Sequence, residues 1–470
     1  MKYVTVQSSE QLPKYKESRG DSVSDSLKLY DAFTQNNQID SEYYEKYQVK
    51  RGLRNQDGTG VMAGVTNICN VHGYVVNEGE KEPDEGELTF RGYSIRDLVA
   101  NVKKEDRFGY EEISYLLLSG ELPDRDELKA FEELISENRV LPGDFFGDMI
   151  LKAPSMNVMN KMARNILALY SYDDNPDVIT PKHEIDTAIS VISKLPIIMV
   201  LAYYVKQSVY CGGSMIMHPV IPGQSTAETI LSILRRDRQF TDEEAKLLDL
   251  ALMLHAEHGG GNNSTFTCRV LSSSGTDPYS AYSAAVGSLK GPKHGGANRK
   301  VASMHRYIRE TVKNWENEDE VMDCLKKIVG KEGFDKSGLI YGMGHAVYTL
   351  SDPRACILKE NAQKLAKGSE FEAEFNLISL VEKLAPIAFK EVKGSDKTIC
   401  ANVDMYSGFV YKMLGIPEDL YTPLFAVSRM SGWCAHRFEE LVSGRRIIRP
   451  AYKAVTKKRE YIGIDERGNK

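Results

Sequence analysis

The chain has no CxxC pair, and its seven cysteines in 470 residues are an odd number. That is not the framework of a disulfide-stapled secreted domain, and a reducing compartment is the expectation. A basic excess is missing too. Sixty Lys and Arg stand against 66 Asp and Glu, a formal net charge of −6, so the electrostatic footprint of a nucleic-acid binder is absent. The opening residues, MKYVTVQSSEQLPKYKESRG, contain no apolar core of a secretory signal and are not an acid-poor, Arg-rich transit segment. Long apolar runs are also lacking. The most apolar stretch, Leu195 to Val205, is 11 residues bounded by Lys194 and Lys206 and holds Pro196; it is too short to span a bilayer and reads as a buried helix. No repeat of fixed period and no low-complexity segment occurs. What remains is a cytoplasmic globular protein with neither nucleic-acid nor membrane partners. Its 42% apolar and 27% charged residues suit that class, and its length allows about three domains, or fewer around one large core.

Helical signals dominate what is present. Between Glu243 and His255, Leu247, Leu248, Ala251, Leu254 and His255 fall on one face. Pro278 opens a second helix rich in small residues, stopped by Gly291-Pro292, and a third runs from Leu420 to Arg437. Strand-like alternation is confined to Gly64–Val71 and Glu87–Arg91. Residues 1–50 are polar with irregular apolar spacing, either wrapped over a core or loose. Gly- and Pro-bearing breaks at 291–296, 338–344 and 394–396 divide the second half. The stretch from Arg445 to Arg459 is a basic arm.

Four segments place titratable residues in Gly-rich or helix-end loops. They are HAEHGGGNN with His255, Glu257 and His258; GPKHGGAN with His294; YGMGHAVYTLSDPR with His345 and Arg354; and NVDMYSG with Asp404. The GMG triplet has neither Rossmann nor P-loop spacing, and HxxH with one acid lacks zincin spacing. Each histidine alone is more often a structural hydrogen bonder than a catalyst. Together they supply a carboxylate base, two imidazole donors and several arginines. That set suits proton abstraction beside a carbonyl, with neutral imidazoles stabilising the enolate and alkoxide, and guanidinium forks holding carboxylates.

GMGHAVYTLSDPR resembles the signature segment of the citrate synthases. HGGGNNS, HGGAN and NVDMYSG resemble three further segments of that family, in the family's order along the chain. RGLRNQDGTGVMAGVTNICNVHGY, LTFRGYSIRDLV, SKLPIIMVLAYYV and the LFAVSRMSGW…RIIRPAY stretch extend the likeness over most of residues 50–455. It implies a mainly α, two-domain helical fold: a large domain (1–294 and 409–470) and a smaller mobile one (295–408). It also implies a homodimer with shared active sites that condenses acetyl-CoA with oxaloacetate and hydrolyses the citryl thioester. Coenzyme A enters as co-substrate, with no tightly bound cofactor and no metal. By the same likeness His294 bonds the thioester carbonyl, Asp404 is the base and His345 donates to the oxaloacetate ketone. His258, Asn262, Arg354 and Arg429 hold oxaloacetate, Arg449 reaches the other subunit's site, and Tyr341, Gly342, Gly344 and Asn402 belong to the coenzyme A loop.

The chain departs from the family pattern at Thr349, where some relatives carry a basic residue that meets a coenzyme A phosphate, and at Gly259, where Glu is common. Lys393 and Lys397 are candidates for the phosphate contact. Two other activities compete. One is 2-methylcitrate synthesis from propionyl-CoA, since one methylene in an apolar pocket is worth only about 1–3 kcal/mol. The other is a metal-dependent hydrolase on His255, Glu257 and His258.

Overall fold

The computed structural model describes residues 36–55, 58–77, 80–394 and 398–467. Among the described residues, sixteen α-helices and one small sheet make up the fold. In order the helices are α1 (Glu42–Lys46), α2 (Ile95–Lys104), α3 (Tyr110–Ser119), α4 (Arg125–Glu137), α5 (Val158–Leu169), α6 (Pro181–Tyr210), α7 (Thr226–Leu234) and α8 (Asp242–His255). They continue with α9 (Asn263–Ser272), α10 (Pro278–Leu289), α11 (Ala297–Thr311), α12 (Glu318–Val329), α13 (Pro353–Ala366), α14 (Glu372–Lys393), α15 (Asp404–Met413) and α16 (Tyr421–Ser443). An antiparallel sheet of β1 (Cys69–Asn77), β2 (Glu80–Phe90) and β3 (Tyr93–Ser94) precedes α2. By compactness, residues 62–449 form one unit; residues 36–61 with 450–467 form another, in which Lys453 lies over the Tyr47 ring.

Local chemistry explains the helix starts. Thr241 and Glu244 close a capping box at the head of α8, Ser225 and Glu228 do the same for α7, and Pro181, Pro278 and Pro353 each occupy a first turn. The three helices expected from periodicity are α8, α10 and α16, with ends shifted by a few residues. The stretch Leu195–Val205 is the centre of α6, which is 30 residues long and carries Pro196 within it. Its length and mean hydropathy of 1.9 would allow a membrane span, but 78% of its most apolar window is buried in protein. β1 lies later than expected, β2 starts earlier, and both run longer. β1 continues through Tyr74–Asn77, and β2 begins in the acidic run from Glu80, where no apolar alternation marks a strand.

α16 is the axis of the core. Nearly every residue from Tyr421 to Arg437 is buried, and α3, α6, α8, α9 and α10 pack around it. One close approach decides where α8 ends. A Cβ on Gly432 would sit 2.2 Å from a Glu257 carboxylate oxygen and 2.4 Å from the Ala256 carbonyl. Only glycine lets α16 lie this close to the chain leaving α8. α13 and α11 pack on α15, and α13 also meets α2 and α8.

Candidate active site

His255 ends α8, and the chain then turns through three glycines to Asn262, which caps α9 by accepting a hydrogen bond from Ser264 N at 3.3 Å. His255 and His258 are both buried. The His255 ring lies on Phe425, centroids 4.3 Å apart, and neither of its nitrogens has a partner; Nε2 of His258 has none either. Arg429 of α16 donates its Nε–H to the His255 carbonyl at 2.6 Å, while Nη1 and Nη2 stay buried without acceptors. Such donors cost free energy unless an acceptor meets them, and a charged fork costs the most. The geometry presents an unneutralised guanidinium to an anion.

The opposite wall comes from two laced loops. Gly342 and Gly344 both adopt φ of 87°, open to glycine without strain, and let the loop bend past residues 400–402. Gly344 N donates to Cys400 O at 2.7 Å and Asn402 N to Gly342 O at 2.8 Å. The Asn402 amide completes the lacing, giving a hydrogen bond to Gly344 O at 2.9 Å and taking one from Asp404 N at 3.0 Å. These bonds tie the segment carrying His345 to the one carrying Asp404.

Nδ1 of His345 accepts from the backbone N–H groups of Val347 and Tyr348 at 3.0 and 3.1 Å, which leaves the ring proton of the neutral form on Nε2. The ring stacks on Tyr348 at 4.5 Å and meets the edge of His258 at 5.1 Å. Arg354, in the first turn of α13, is clasped by Asp352 through Nε at 3.0 Å and Nη2 at 2.7 Å. Asp352 also caps α13 and accepts from Val403 N at 3.2 Å, so one buried carboxylate fixes both loops.

His294 lies in the turn before α11, with Nε2 3.1 Å from Ser264 Oγ. Ser264 Oγ also accepts from Trp433 Nε1 at 3.3 Å and donates to Asn262 Oδ1 at 2.9 Å. Burial, then the Arg429 charge, pushes His294 down to about 4, so its imidazole is neutral at physiological pH. His255 and His258 are held well below the ordinary histidine range by burial and by Arg354 and Arg429. Asp404 moves the other way. Burial lifts it to about 6, while Arg354 and Asn298 act to lower it. Arg429 therefore acts electrostatically on His255, His258, His294 and Asp404 alike, which marks them as one site.

The chain thus gathers His258, Asn262, His294, His345, Arg354, Asp404 and Arg429. Arg449 lies exposed beyond α16 and takes no part in these contacts. Tyr341 donates its hydroxyl to Asp335 at 2.8 Å beneath the Gly342 turn. The Thr349 hydroxyl donates to Gly73 O at 2.5 Å, pinning its loop to β1. Lys393 donates to Gly338 O at 2.9 Å, and Lys397 falls outside the described residues. Glu257 is committed to His436 Nε2 at 2.9 Å and to Gly259 N at 2.6 Å. Among the described residues no three of His, Cys, Asp and Glu gather as a metal centre would require. Sequence reading passed over Asp352, Ser264 and Tyr348. Asp352 alone carried a signal, an acid directly before a helix-opening proline.

Similarity to known proteins agrees with this site. The model of the citrate synthase C-terminal domain family matches residues 55–451. The citrate synthase of Haloferax volcanii is 32% identical over 426 residues, covering 89% of this chain and 99% of its own. Citrate synthase 2 of Bacillus subtilis is 33% identical, covering 81% and 93%. Among solved structures, the Thermoplasma acidophilum citrate synthase in ternary complex with carboxymethyl coenzyme A and oxaloacetate superposes with a TM-score of 0.71 at 27% identity, covering 89% of this chain and 99% of that one. The Thermotoga maritima enzyme gives 0.67 at 29% identity. A match along nearly the whole length of these relatives, together with a helical two-domain fold of the same kind, makes this chain a member of the citrate synthase family.

Proposed function

We propose that this chain condenses acetyl-CoA with oxaloacetate and hydrolyses the citryl thioester to citrate and CoA. The observation that carries the reading is the pairing of Asp404 with two imidazoles around an unneutralised Arg429. A thioester methyl is a very weak carbon acid, so a carboxylate alone cannot ionise it. A donor must meet the carbonyl oxygen as charge develops, and one such donor is worth roughly 3–4 kcal/mol. His294 is that donor. It is neutral, and the contact of Nε2 with the Ser264 hydroxyl at 3.1 Å fixes the orientation of the ring. Asp404 takes the methyl proton; its lifted pKa brings it closer to the carbon acid while leaving it ionised at pH 7.

Oxaloacetate is a dianion with a ketone. Arg429 offers it two open guanidinium donors and Arg354 a second cation, and His258 feels the charge of both. His345, whose backbone bonds reserve the proton for Nε2, hydrogen-bonds the ketone and protonates the alkoxide as the enol carbon attacks. Water then hydrolyses the thioester and releases CoA.

The remaining assignments belong to the same reading. Residues 295–408 form the small domain, carrying His345, Arg354 and Asp404 towards His258 and Arg429 of the large one. The turns at Gly342 and Gly344, with Tyr341 and Asn402 beside them, receive the adenine end of coenzyme A. Arg449, exposed on a single chain, serves the site of a second copy in a homodimer. Seven unpaired cysteines suit a reducing cytoplasm.

The test is thiol release with oxaloacetate and either acetyl-CoA or propionyl-CoA. Release at higher kcat/KM with acetyl-CoA is expected. Preference for propionyl-CoA would move the activity to 2-methylcitrate synthesis, and no release with either would overturn the reading.

A further inference from the structure

Away from the site, a cavity of about 330 Å³ opens between α2, α8 and α13. That is the lower end of the range of small-molecule pockets. Its floor is apolar: Val99 and Val102 of α2, Leu247, Leu250 and Met253 of α8, and Leu365 of α13. Charged groups ring it, and most are already satisfied. Lys246 pairs with Asp106 and with Asp242 at 2.6 Å, and Arg107 with Glu105 at 2.6 Å and Glu112 at 2.8 Å. Asp249 turns its oxygens to Gly109 N and Tyr110 N, at 2.7 and 3.2 Å, and burial with the nearby Glu111 lifts it to about 8. Glu243 is exposed at the head of α8.

Two cations remain. Lys103 of α2 donates only to the neutral Asn361 Oδ1 at 2.6 Å, and among the described residues Lys364 of α13 has neither an ion pair nor a hydrogen bond. They repel one another. Burial first, then the Lys364 charge, lowers Lys103 below the ordinary lysine range, and Glu360 only partly offsets this. Two like charges on the wall of one cavity with an apolar floor are complementary to a ligand with one anionic end and one hydrocarbon end.

We infer that this cavity binds a small amphipathic carboxylate, its carboxylate between Lys103 and Lys364 and its alkyl chain on the floor, and that it strengthens oxaloacetate binding through α8 and α13. The walls give the coupling its route. α8 ends in His255 and leads into His258, while α13 begins at Pro353 and carries Arg354 in its first turn. A carboxylate spanning Lys103 and Lys364 removes their repulsion and draws α13 onto α2 and α8, the arrangement in which Arg354 and His258 share the site. The coupling rests on the oxaloacetate reading above; binding to the cavity does not.

The probe is octanoate, titrated calorimetrically into the full-length protein and into the Lys103→Gln/Lys364→Gln double variant. Both side chains are at the cavity mouth, and basal thiol release should be unchanged in the variant. Octanoate should bind the wild type at least tenfold more tightly than the variant. Saturating octanoate should tighten oxaloacetate binding at least threefold in the wild type, oxaloacetate should tighten octanoate by the same factor, and neither effect should survive in the variant. Equal octanoate affinity for both proteins, or octanoate displaced by a CoA thioester, would overturn the site. Unchanged oxaloacetate affinity at saturating octanoate would overturn the coupling. Because the titration reads no turnover, failure of the thiol-release assay would count against the proposed activity and leave the cavity claim standing.

Discussion

Arg354 and Arg429 enter the same site with opposite electrostatic preparation. Both are buried, and both are proposed above to hold oxaloacetate. Arg354 is clasped by Asp352, which lifts it above its ordinary value against the pull of burial. Arg429 has no carboxylate bonded to it, and burial draws it down to about 10. The Arg354 region is therefore complete as a structural ion pair before substrate arrives. The Arg429 region is incomplete, its charge offset only at a distance, first by Glu257 and less by Asp404. A buried pair is costly to break, whereas a buried lone charge is costly to keep. On the proposed reading, Arg354 serves assembly as well as binding, and Arg429 serves chiefly the ligand.

The largest expected effect falls between the two arginines, on Asp404. Asp404→Asn keeps the shape and removes the base, so kcat should fall by about a thousandfold or more, with oxaloacetate affinity changed less than threefold. A kcat within tenfold of wild type, by thiol release, would take Asp404 out of the role. Next comes Arg354→Met. It leaves Asp352 buried and unpaired, and should cost about 3–5 kcal/mol of stability in denaturant unfolding. Adding Asp352→Asn should restore a good part of that loss, and a double variant no more stable than the single would break the pairing argument.

The smallest effect is a pH dependence. Asp404 must be ionised to accept the proton, so kcat/KM should fall tenfold per unit on the acid side of about pH 6 and be level above it. The linkage to stability runs in the opposite direction to the activity. A carboxyl raised from its unfolded value binds more protons in the folded state, so its contribution to stability is greatest below the unfolded pKa and is lost as pH rises through 6. An acid limb centred near pH 4 would mean that burial does not set the behaviour of Asp404.

Much of the site was legible because its residues sit in short local motifs. His294, His345, Arg354, Asp404 and His258 all occur beside glycines or at helix ends, and α8 and α16 announce themselves by periodicity. What sequence could not show is which arginine already has a partner. Asp352 lies two residues before Arg354 and looks like a helix cap, which it is; only the fold reveals that the same carboxylate grips the guanidinium and Val403 N. Ser264 is a small polar residue in a run of them, and it meets His294 and Trp433 only through the packing of α9 on α16. The full length of α6 was hidden by Pro196, and the hairpin by the acidic run of β2.

The measurement that tests the central claim most directly is oxaloacetate titration and denaturant unfolding of Arg429→Met beside the wild type. The account predicts oxaloacetate affinity reduced at least a hundredfold and stability equal to or above wild type, because an uncompensated buried charge has been replaced by an apolar chain. Retained oxaloacetate binding, or a loss of stability as large as that of Arg354→Met, would contradict it.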